Sequence, residues 1–535
     1  MTPAKPSAEM HPTRWGDPSR ARALPDAARG LVELVFPVSD RSIDESVAPA
    51  VPPSALPAEA VDALAAVVGA DHVLTDDETR RLRTRGKSTP DLLRARAGDL
   101  SDTPDAVVRP ADGDEVQRLL EVASAYRLAV VPFGGGTSVV GGLVARREGF
   151  VGVVSLDLVR MKRLLDLDPV SMTATLEPGL RGPEAEGLLA EHGMTLGHFP
   201  QSFEFATIGG YAATRSSGQS SAGYGRFDAL VVGLAVATPA GPVVLGHAPA
   251  SAAGPDLRQL FLGSEGALGV ITSVTVRVRT RPEVKVYEGW RWASFDDGAR
   301  AMRTLAQVQM LPTVLRLSDE NETALNLADP DSIGGSSEGG CLMIVGHEGT
   351  PAVVEARRAA VTALLTDLGG SPAGEEPGRT WAAGRFDSPY LRDSMLDLGV
   401  LVETLETATH WSRLREVYDA VSAALTGALG DPALVLCHVS HVYETGASLY
   451  FTVAAPEGDD PLARWSSAKA AALDAIVAGD ATITHHHAVG TDHRPWLEAE
   501  IGPLGVSVLR AVKAVVDPDG ILNPGVLVPG AVEGV

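Results

Sequence analysis

A run of three glycines constrains this chain more than any other feature of its sequence. The run lies in the segment PFGGGTSVVGG, residues 132–142, directly after a short apolar stretch that predicts a buried strand. Adjacent glycines adopt positive φ at no steric cost, so several backbone N–H groups can point at one spot. Such a nest of N–H dipoles binds phosphate without a lysine. A phosphate-binding loop and a plain glycine turn at a sheet edge both remain open at this point.

Two familiar phosphate motifs do not fit this segment. The P-loop of nucleotide hydrolases is excluded because no Gly-Lys-Ser/Thr follows the glycines. The dinucleotide fingerprint G-x-G-x-x-G fits poorly, because no helix is predicted to open directly after the glycines.

Two further segments rich in glycine and hydroxyl groups make a simple turn less convincing. Residues 200–218 read PQSFEFATIGGYAATRSSG, and residues 262–271 read LGSEGALGVI at the start of an alternating β-strand pattern. Three such segments are more than loop formation needs, whereas a long dinucleotide that threads between them would use all three. The pattern therefore favours a dinucleotide site.

The chain is long enough for two or more domains, since 535 residues exceed what one hydrophobic core supports. The patterns predict an N-terminal arm with a helical segment (1–100), a cofactor domain (101–282), a cap domain (283–499) and a C-terminal segment that returns to the cofactor domain (500–535). Within the arm, residues 71–100 are rich in Asp and Arg and predict a solvated linker or short helix. In the cap, strands and helices alternate twice over, which is typical of an antiparallel sheet with helices on one face. The predicted fold class is α+β.

The charge balance narrows the choice of partners. The formal net charge of -23 disfavours nucleic acid, and an anionic substrate would need a local basic pocket. The two cysteines, Cys341 and Cys437, are interpreted as small buried hydrophobic residues in a reducing compartment. The Pro-rich N-terminus has no signal-peptide core, and no run approaches the ~18–20 apolar residues of a membrane span. We expect a cytoplasmic protein, and leave peripheral contact with a membrane and a homodimer as open alternatives.

The three glycine-rich segments resemble the FAD-binding motifs of the vanillyl-alcohol-oxidase/PCMH family. The resemblance implies a two-subdomain FAD-binding domain of the PCMH type, with the first loop on the pyrophosphate and the third segment near the adenosine end. The first loop contains neither His nor Cys, so non-covalent FAD is expected. The residues that the resemblance assigns to the cofactor are Pro132, Phe133, Gly134, Gly135, Gly136, Thr137, Ser138, Gln201, Ser202, Thr207, Thr214, Arg215, Ser216, Ser217, Glu265, Gly266, Gly269, Val270 and Ile271.

A histidine triplet opens the segment HHHAVG, residues 485–490. Because successive side chains alternate along a strand, at most two of the three histidines are expected to reach one site. A chance cluster or surface histidines are the plain alternative. No cysteine or carboxylate lies at useful local spacing, so no metal site is expected here.

The C-terminal half resembles the alkyl-dihydroxyacetonephosphate synthase family, which implies a specific reaction. That family exchanges the acyl group of acyl-dihydroxyacetonephosphate for a long-chain alcohol in ether-lipid synthesis, without net oxidation, and flavin N5 is thought to hold the substrate carbon. Ala488 stands where that family usually has Gly, which puts the local backbone geometry in doubt. The segments that carry the resemblance are HPTRWGDP (11–18), RLSDENET (316–323), SPYLRD (388–393), YETGASLYFT (443–452) and HHHAVG (485–490).

The same resemblance suggests a role for each candidate residue. Arg316 and Arg392 would hold the substrate phosphate by charge-assisted bonds. Tyr450 would act as general acid/base, with its pKa lowered by neighbouring cations. The histidines would orient the phosphate or shuttle protons. The predicted catalytic set is Tyr450, Arg392, His485, His486 and His487.

Two other interpretations stay open. The chain could be an FAD-dependent oxidase or dehydrogenase of a 2-hydroxy acid or alcohol, with an arginine on the carboxylate. It could also be a flavin-binding scaffold without catalysis. A phosphate-sized pocket beside a long apolar tunnel would favour the synthase, and a short closed pocket would favour a small hydroxy acid.

Overall fold

The computed structural model describes residues 9–20, 24, 26–44, 48–325 and 339–529. Within them, four-stranded and five-stranded sheets form the N-terminal half, and a seven-stranded sheet forms the C-terminal half. The predicted α+β class is confirmed. Among these residues, no helix combines the length and the apolar character that crossing a bilayer requires.

The N-terminal region is helical and packs against the first sheet. The predicted helix at residues 57–68 is present, and its residues Ala60 and Leu64 are buried. They pack on Leu120 of the helix that precedes the glycine loop. The elements of this region are α1 (Asp26–Val35), α2 (Ala58–Val68), β1 (Val73–Leu74), α3 (Asp77–Arg81) and α4 (Thr89–Arg96).

Of the two alternatives predicted for residues 71–100, the short helix is present twice, as α3 and α4, whereas a solvated linker is wrong for residues 80–87. Arg80, Arg83, Arg85 and Lys87 are all buried there. Their charges are compatible with burial because each is bonded to oxygen atoms; the Arg83 guanidinium, for example, lies 3.0 Å from Asp157. No alternation marks this burial in the sequence, because residues 83–89 are all buried.

The first sheet carries the glycine loop at the end of an edge strand. Its order is β1-β2-β4-β3, and β2, β4 and β3 run parallel. The free edge of β3 is covered by the C-terminal segment, since Val130 N donates to Ile521 O at 2.8 Å and Asn523 N donates to Val130 O at 2.8 Å. Asp112 caps the helix of this sheet by accepting from Glu115 N. The elements added here are β2 (Ala106–Val108), α5 (Gly113–Tyr126), β3 (Leu128–Phe133) and β4 (Gly152–Asp157).

The second sheet is antiparallel, with the order β5-β6-β10-β8-β9. The predicted hairpin at residues 230–245 is present as β8 and β9. The predicted alternating strand after residue 270 is β10, in which a bulge at Ile271 and Ser273 shifts the register. The elements are β5 (Leu164–Asp168), β6 (Thr173–Leu176), α6 (Gly182–Ala190), β7 (Met194–Thr195), α7 (Ile208–Thr214), α8 (Ser221–Tyr224), α9 (Phe227–Leu230), β8 (Val231–Thr238), β9 (Gly241–Leu245), α10 (Arg258–Phe261), β10 (Val270–Arg277) and β11 (Arg279–Thr280).

The seven-stranded sheet of the cap is antiparallel throughout, with the order β15-β12-β14-β13-β17-β18-β16. The strand–helix pattern occurs twice along the chain, as predicted. The elements are β12 (Val284–Trp292), α11 (Phe295–Gln307), β13 (Val314–Ser318), α12 (Glu320–Leu325), β14 (Cys341–Gly349), α13 (Pro351–Asp367), β15 (Ser371–Gly374), α14 (Glu376–Gly384), α15 (Ser388–Asp397), β16 (Val400–His410), α16 (Leu414–Leu429), β17 (Leu434–Val439), β18 (Gly446–Pro456) and α17 (Pro461–Ala478).

The two faces of the cap sheet have different roles. On β18, Leu449, Phe451 and Val453 belong to the core beneath α11, α13, α16 and α17. Alternation therefore turns Tyr450 to the opposite face. Trp381 of α14 also packs on that opposite face. The two cysteines are free and buried in the helix-covered core, as predicted.

The last helix, α18 (Leu497–Val516), packs on both halves of the molecule. Its residue Leu497 contacts the core of the cap, and Val512 contacts the core of the second sheet. The helix is kinked at Gly502, whose φ is 72°, next to Pro503. The chain then reaches the edge of β3 at Asn523.

Candidate functional site

The glycine loop lies against the segment 200–218. A Cβ added to Gly135 would collide with the backbone carbonyl of Phe205, and one on Gly134 would collide with the hydroxyl of Thr207. Gly136 has a φ of +69°, a conformation that favours glycine. The loop composition is therefore required by close backbone approach.

The third glycine-rich segment is joined to the first by Asn523. The side-chain amide of Asn523 donates to Gly142 O at 3.0 Å and to Glu265 O at 2.7 Å. A Cβ on Gly266 would come within 2.7 Å of the Pro132 ring. The three segments that the sequence singled out thus meet in one place.

Several buried polar atoms in or next to the segment 200–218 have no hydrogen-bond partner in the described part of the chain. They are the amide nitrogen of Gln201, the amide oxygen of Gln219, the hydroxyl of Ser220 and the Nδ1 of His198. Burial lowers the pKa of His198 to about 3, so its ring is neutral. Buried polar groups are normally hydrogen-bonded, so these atoms fit a bound group that carries both donors and acceptors, such as a flavin ring.

A pocket adjoins the glycine loop. Its lining includes residues that the sequence predicted to bind the cofactor and residues that it did not. Phe133, Gly134, Gly135, Gly136 and Thr207 line it, as expected for a phosphate cradle. Sequence reasoning missed the charged side of the pocket, which is formed by Arg83, Asp157 and Arg181. The Arg83 guanidinium also lies 4.9 Å from the centre of the Phe133 ring.

Several other predicted cofactor residues bond to protein groups in the described structure, and their assignment to FAD stays a prediction. Thr207 caps α7, and Ser138 Oγ accepts from Gly142 N at 3.0 Å. The carboxylate of Glu265 accepts from Val489 N and Gly490 N of the cap, which joins the two halves. The side chains with such partners also include Thr214 (Gly210 O), Arg215 (Leu262 O and Gln259 O), Ser216 (His198) and Ser217 (His441).

All three histidines of the triplet surround one buried carboxylate, that of Glu406. Glu406 accepts from the backbone N–H groups of His485 at 2.7 Å, His486 at 3.0 Å and His487 at 2.9 Å. The expectation that at most two histidines reach one site is wrong, because these residues form bends rather than a strand. Strand alternation therefore does not apply to them.

Tyr450 lies beside these rings. The His438 ring is stacked on it at a centroid distance of 4.7 Å, and the rings of His486 and His487 lie at 6.0 Å and 5.4 Å. Burial raises the pKa of Tyr450 to about 12, so the expected lowering by neighbouring cations does not occur. The phenol therefore keeps its proton at neutral pH.

His441, which sequence reasoning missed, completes the cluster. Its Nδ1 lies 3.1 Å from Ser217 Oγ, and His485 Nε2 lies 2.6 Å from the hydroxyl of Tyr443. Ring nitrogens of His441, His485 and His486 lie within 4.8 Å of one another, close enough to hold one metal ion. We interpret the cluster as a hydrogen-bonded network, and the expected absence of a metal stays a prediction.

The two candidate arginines differ in how their charges are satisfied. Arg316 bonds to Glu322 and lies 3.0 Å from His438 Nδ1. Burial alone would raise the pKa of Glu322, but Arg316 outweighs it and holds that pKa at about 2. Arg392 donates from Nη1 to Lys87 O at 2.7 Å, and its Nε and Nη2 are buried without a hydrogen-bond partner among the described residues.

Family models match both halves of the chain. The model described as "FAD binding domain" matches residues 104–245, and the model described as "FAD linked oxidases, C-terminal domain" matches residues 281–527. The alkyldihydroxyacetonephosphate synthase of Dictyostelium discoideum is 34% identical over 481 residues, which cover 85% of this chain and 78% of that protein.

Solved structures agree with these matches. A crystal structure of alkyldihydroxyacetonephosphate synthase in space group P212121 superposes with a TM-score of 0.83 at 30% identity and covers 96% of this chain and 98% of its own. Substrate-bound p-cresol methylhydroxylase superposes with a TM-score of 0.70 at 16% identity, over 91% of this chain and 98% of its own. The second likeness concerns the fold alone, and it confirms the predicted PCMH-type arrangement.

Proposed function

The chain belongs to the alkyldihydroxyacetonephosphate synthase family of FAD-dependent enzymes, and we propose that it exchanges the acyl group of an acyl-dihydroxyacetonephosphate for a long-chain alcohol. The observation that carries this proposal is Arg392. Two of its buried nitrogens have no hydrogen-bond partner among the described residues, and an anionic headgroup would satisfy them.

The surroundings of Arg392 suit a phosphate better than a neutral group. The overall charge of -23 repels anions, so a substrate phosphate needs a local cationic site. Lys87 adjoins Arg392 through its carbonyl, and burial lowers the pKa of Lys87 to about 8. Asp393 pairs with Arg392 only at the long distance of 3.7 Å, and the buried carboxyl of Glu403 also interacts with the Arg392 charge.

The position of Arg392 would place a bound phosphate near the strand that bears Tyr450. Arg392 lies on α15, which packs on β16, and β16 pairs with the strand that bears Tyr450. Arg316 would act from the other side, through Glu322 and His438. A phosphate on Arg392 would thus orient the headgroup across the face that carries Tyr450.

Tyr450 is suited to begin as an acid. Exchange breaks the bond between the substrate carbon and the acyl oxygen and forms one to the alcohol oxygen. The protonated phenol can give its proton to the departing carboxylate. It can then recover a proton from the incoming alcohol, with the histidines as relay. The protons balance over one cycle, with no net oxidation.

When bound, FAD supplies the electron-accepting ring against which this exchange takes place. The chain's own contribution is to bind the cofactor and to orient it. The glycine loop, whose residues leave no room for a Cβ, would hold the pyrophosphate, and the buried polar atoms of His198, Gln201 and Gln219 would hold the flavin ring.

The proposal is tested by exchange under anaerobic conditions. Holoenzyme is mixed with palmitoyl-dihydroxyacetonephosphate and labelled hexadecanol while flavin absorbance is followed. We expect labelled ether product and released palmitate, without lasting loss of the flavin band. Absence of ether product, together with bleaching by 2-hydroxy acids that persists until an electron acceptor is added, would instead support the oxidase or dehydrogenase.

A place in ether-lipid synthesis also implies contact with lipid. We propose that the protein works in the cytoplasm as a homodimer in peripheral contact with membranes. Liposome co-sedimentation at low salt and light scattering coupled to size exclusion test these points. Failure to sediment with liposomes would contradict the membrane contact, and a monomeric mass would contradict the homodimer.

A further inference from the structure

Glu406 is a fully buried carboxylate opposite Tyr450 in the pairing of β16 with β18. Besides the N–H groups of the histidine triplet, it accepts from Thr484 Oγ1 at 2.7 Å. Three consecutive N–H groups and one hydroxyl therefore converge on a single side chain. Such a nest of N–H dipoles stabilises a negative charge.

The carboxylate also faces two of the imidazole rings. Its oxygens lie 3.5 Å from Nδ1 of His486 and 4.0 Å from Nδ1 of His487. Burial alone would raise the pKa of Glu406, but His486 and the neighbouring rings outweigh it and hold that pKa well below its ordinary value. The charged form of Glu406 is thus favoured beside the rings.

We propose that Glu406 is a positioning residue for the reaction: it shapes the histidine triplet around Tyr450 and balances the positive charge when His486 accepts a proton. This inference rests on the proposed function. No sequence signal marked Glu406, because it lies far from the triplet along the chain.

The rings form a path on which such a proton can move. His486 Nδ1 lies 2.9 Å from His485 Nδ1, and His485 Nε2 lies 2.6 Å from the Tyr443 hydroxyl. Burial holds the pKa of His485 well below its ordinary value and lowers that of His487 to about 3. The ring nitrogens thus lead from the Tyr443 hydroxyl to His486, whose Nδ1 lies beside the carboxylate.

Other charged and titratable groups interact with Glu406 and the histidine triplet, and they contribute to the pH dependence of the reaction. Arg226, for example, donates to the carbonyl oxygen of His485 at 2.9 Å and opposes an additional positive charge. Besides Arg226, the described groups that interact electrostatically with Glu406 or the triplet are Tyr443, Tyr450, His198, His438, His441, Lys469 and His493.

The experiment compares three variants of the holoenzyme. Glu406→Gln keeps the size of the side chain but removes the charge, and Glu406→Asp keeps the charge but shortens the reach. Glu500→Gln is the matched control, because Glu500 accepts from Thr482 Oγ1 at 2.8 Å and Ile483 N at 3.0 Å just before the triplet and is exposed. Retention of the visible circular dichroism of the flavin shows that each variant keeps the fold of the site.

The first measurement needs no substrate. NMR of 15N-labelled histidines follows the protonation of the triplet between pH 5 and 8. In Glu406→Gln, protonation of one histidine should move to lower pH, since the stabilising anion is gone. An unchanged titration overturns the proposal, even if the exchange assay itself fails because the proposed function is wrong.

The second measurement is the exchange reaction. We expect Glu406→Gln to lower kcat by about 10²–10⁴-fold, the range for loss of acid–base support, with KM nearly unchanged and the acid limb of the pH profile at lower pH. Glu406→Asp should recover part of kcat, and Glu500→Gln should stay near wild type. Equal losses in Glu406→Gln and Glu500→Gln with unshifted pH profiles would reduce Glu406 to a structural anchor and overturn the proposal.

Discussion

Replacement of Arg392 by Gln gives the sharpest test of the proposed anion site. Within the part of the chain that the structure describes, Nε and Nη2 of Arg392 are buried without a hydrogen-bond partner, so a bound phosphate would gain up to two charge-assisted hydrogen bonds. Bonds to charged groups contribute about 1.5–3 kcal/mol each, which sums to about 3–6 kcal/mol. At 1.4 kcal/mol per factor of ten, Arg392→Gln should lower kcat/KM by roughly 10²–10⁴-fold.

The expected loss of kcat/KM in Arg392→Gln lies toward the lower end of that range. Asp393 already neutralises part of the charge, and Nη1 stays bonded to Lys87 O. Arg392→Lys should show an intermediate loss, because an ammonium keeps the charge but lacks the planar fork.

The assay combines steady-state kinetics with thermal unfolding in the presence of dihydroxyacetone phosphate. The wild type should be stabilised by this ligand and Arg392→Gln should not, since only binding to the folded state raises stability. Arg358→Gln, on a partly exposed cap helix, is the control and should behave like wild type. A kcat/KM for Arg392→Gln within twofold of wild type, with ligand stabilisation retained, would refute the reasoning.

Four more outcomes follow from the structure. Tyr450→Phe should abolish exchange while the flavin band remains, and measurable turnover would exclude the acid role. Gly135→Ala should lower the FAD content of the purified protein, because its Cβ has no room against Phe205 O; full flavin loading would contradict that cradle. Acid precipitation should release all flavin into the supernatant, and yellow protein in the pellet would mean a covalent bond. Burial raises the pKa of Glu265 to about 7 from an ordinary 4.5, so its contribution to stability is complete below about pH 4.5 and is lost as the pH rises through 7. The loss amounts to at most about 3 kcal/mol, and unfolding of wild type against Glu265→Gln across that range should show it.

Patterns of short range predicted much of the fold. The alternation after residue 270 predicted β10, and the Pro-Ala-Gly turn predicted the hairpin of β8 and β9. These predictions hold because strand and turn preferences depend on neighbouring residues. The bulge at Ile271 was not predictable, because it depends on the pairing partner β8.

The candidate site was predictable only where one segment carries the chemistry. The glycine loop and the histidine triplet stand out in the sequence, whereas Glu406 and His441 do not. The buried arginines of residues 80–87 were missed because charge-rich segments usually face water. Their burial depends on partners elsewhere in the fold, such as Asp157 for Arg83.

The sequence by itself determined the cofactor class and the order of the elements, because backbone conformation at glycines and the period of apolar residues are local properties. Only the tertiary structure decided which charges are paired and which protons are held. Arg316 has a counter-ion, whereas two nitrogens of Arg392 find no hydrogen-bond partner in the described ranges, although both arginines lie in equally suggestive segments. Solvation and Coulomb energies depend on distance and burial in three dimensions, and neither quantity is encoded in neighbouring residues.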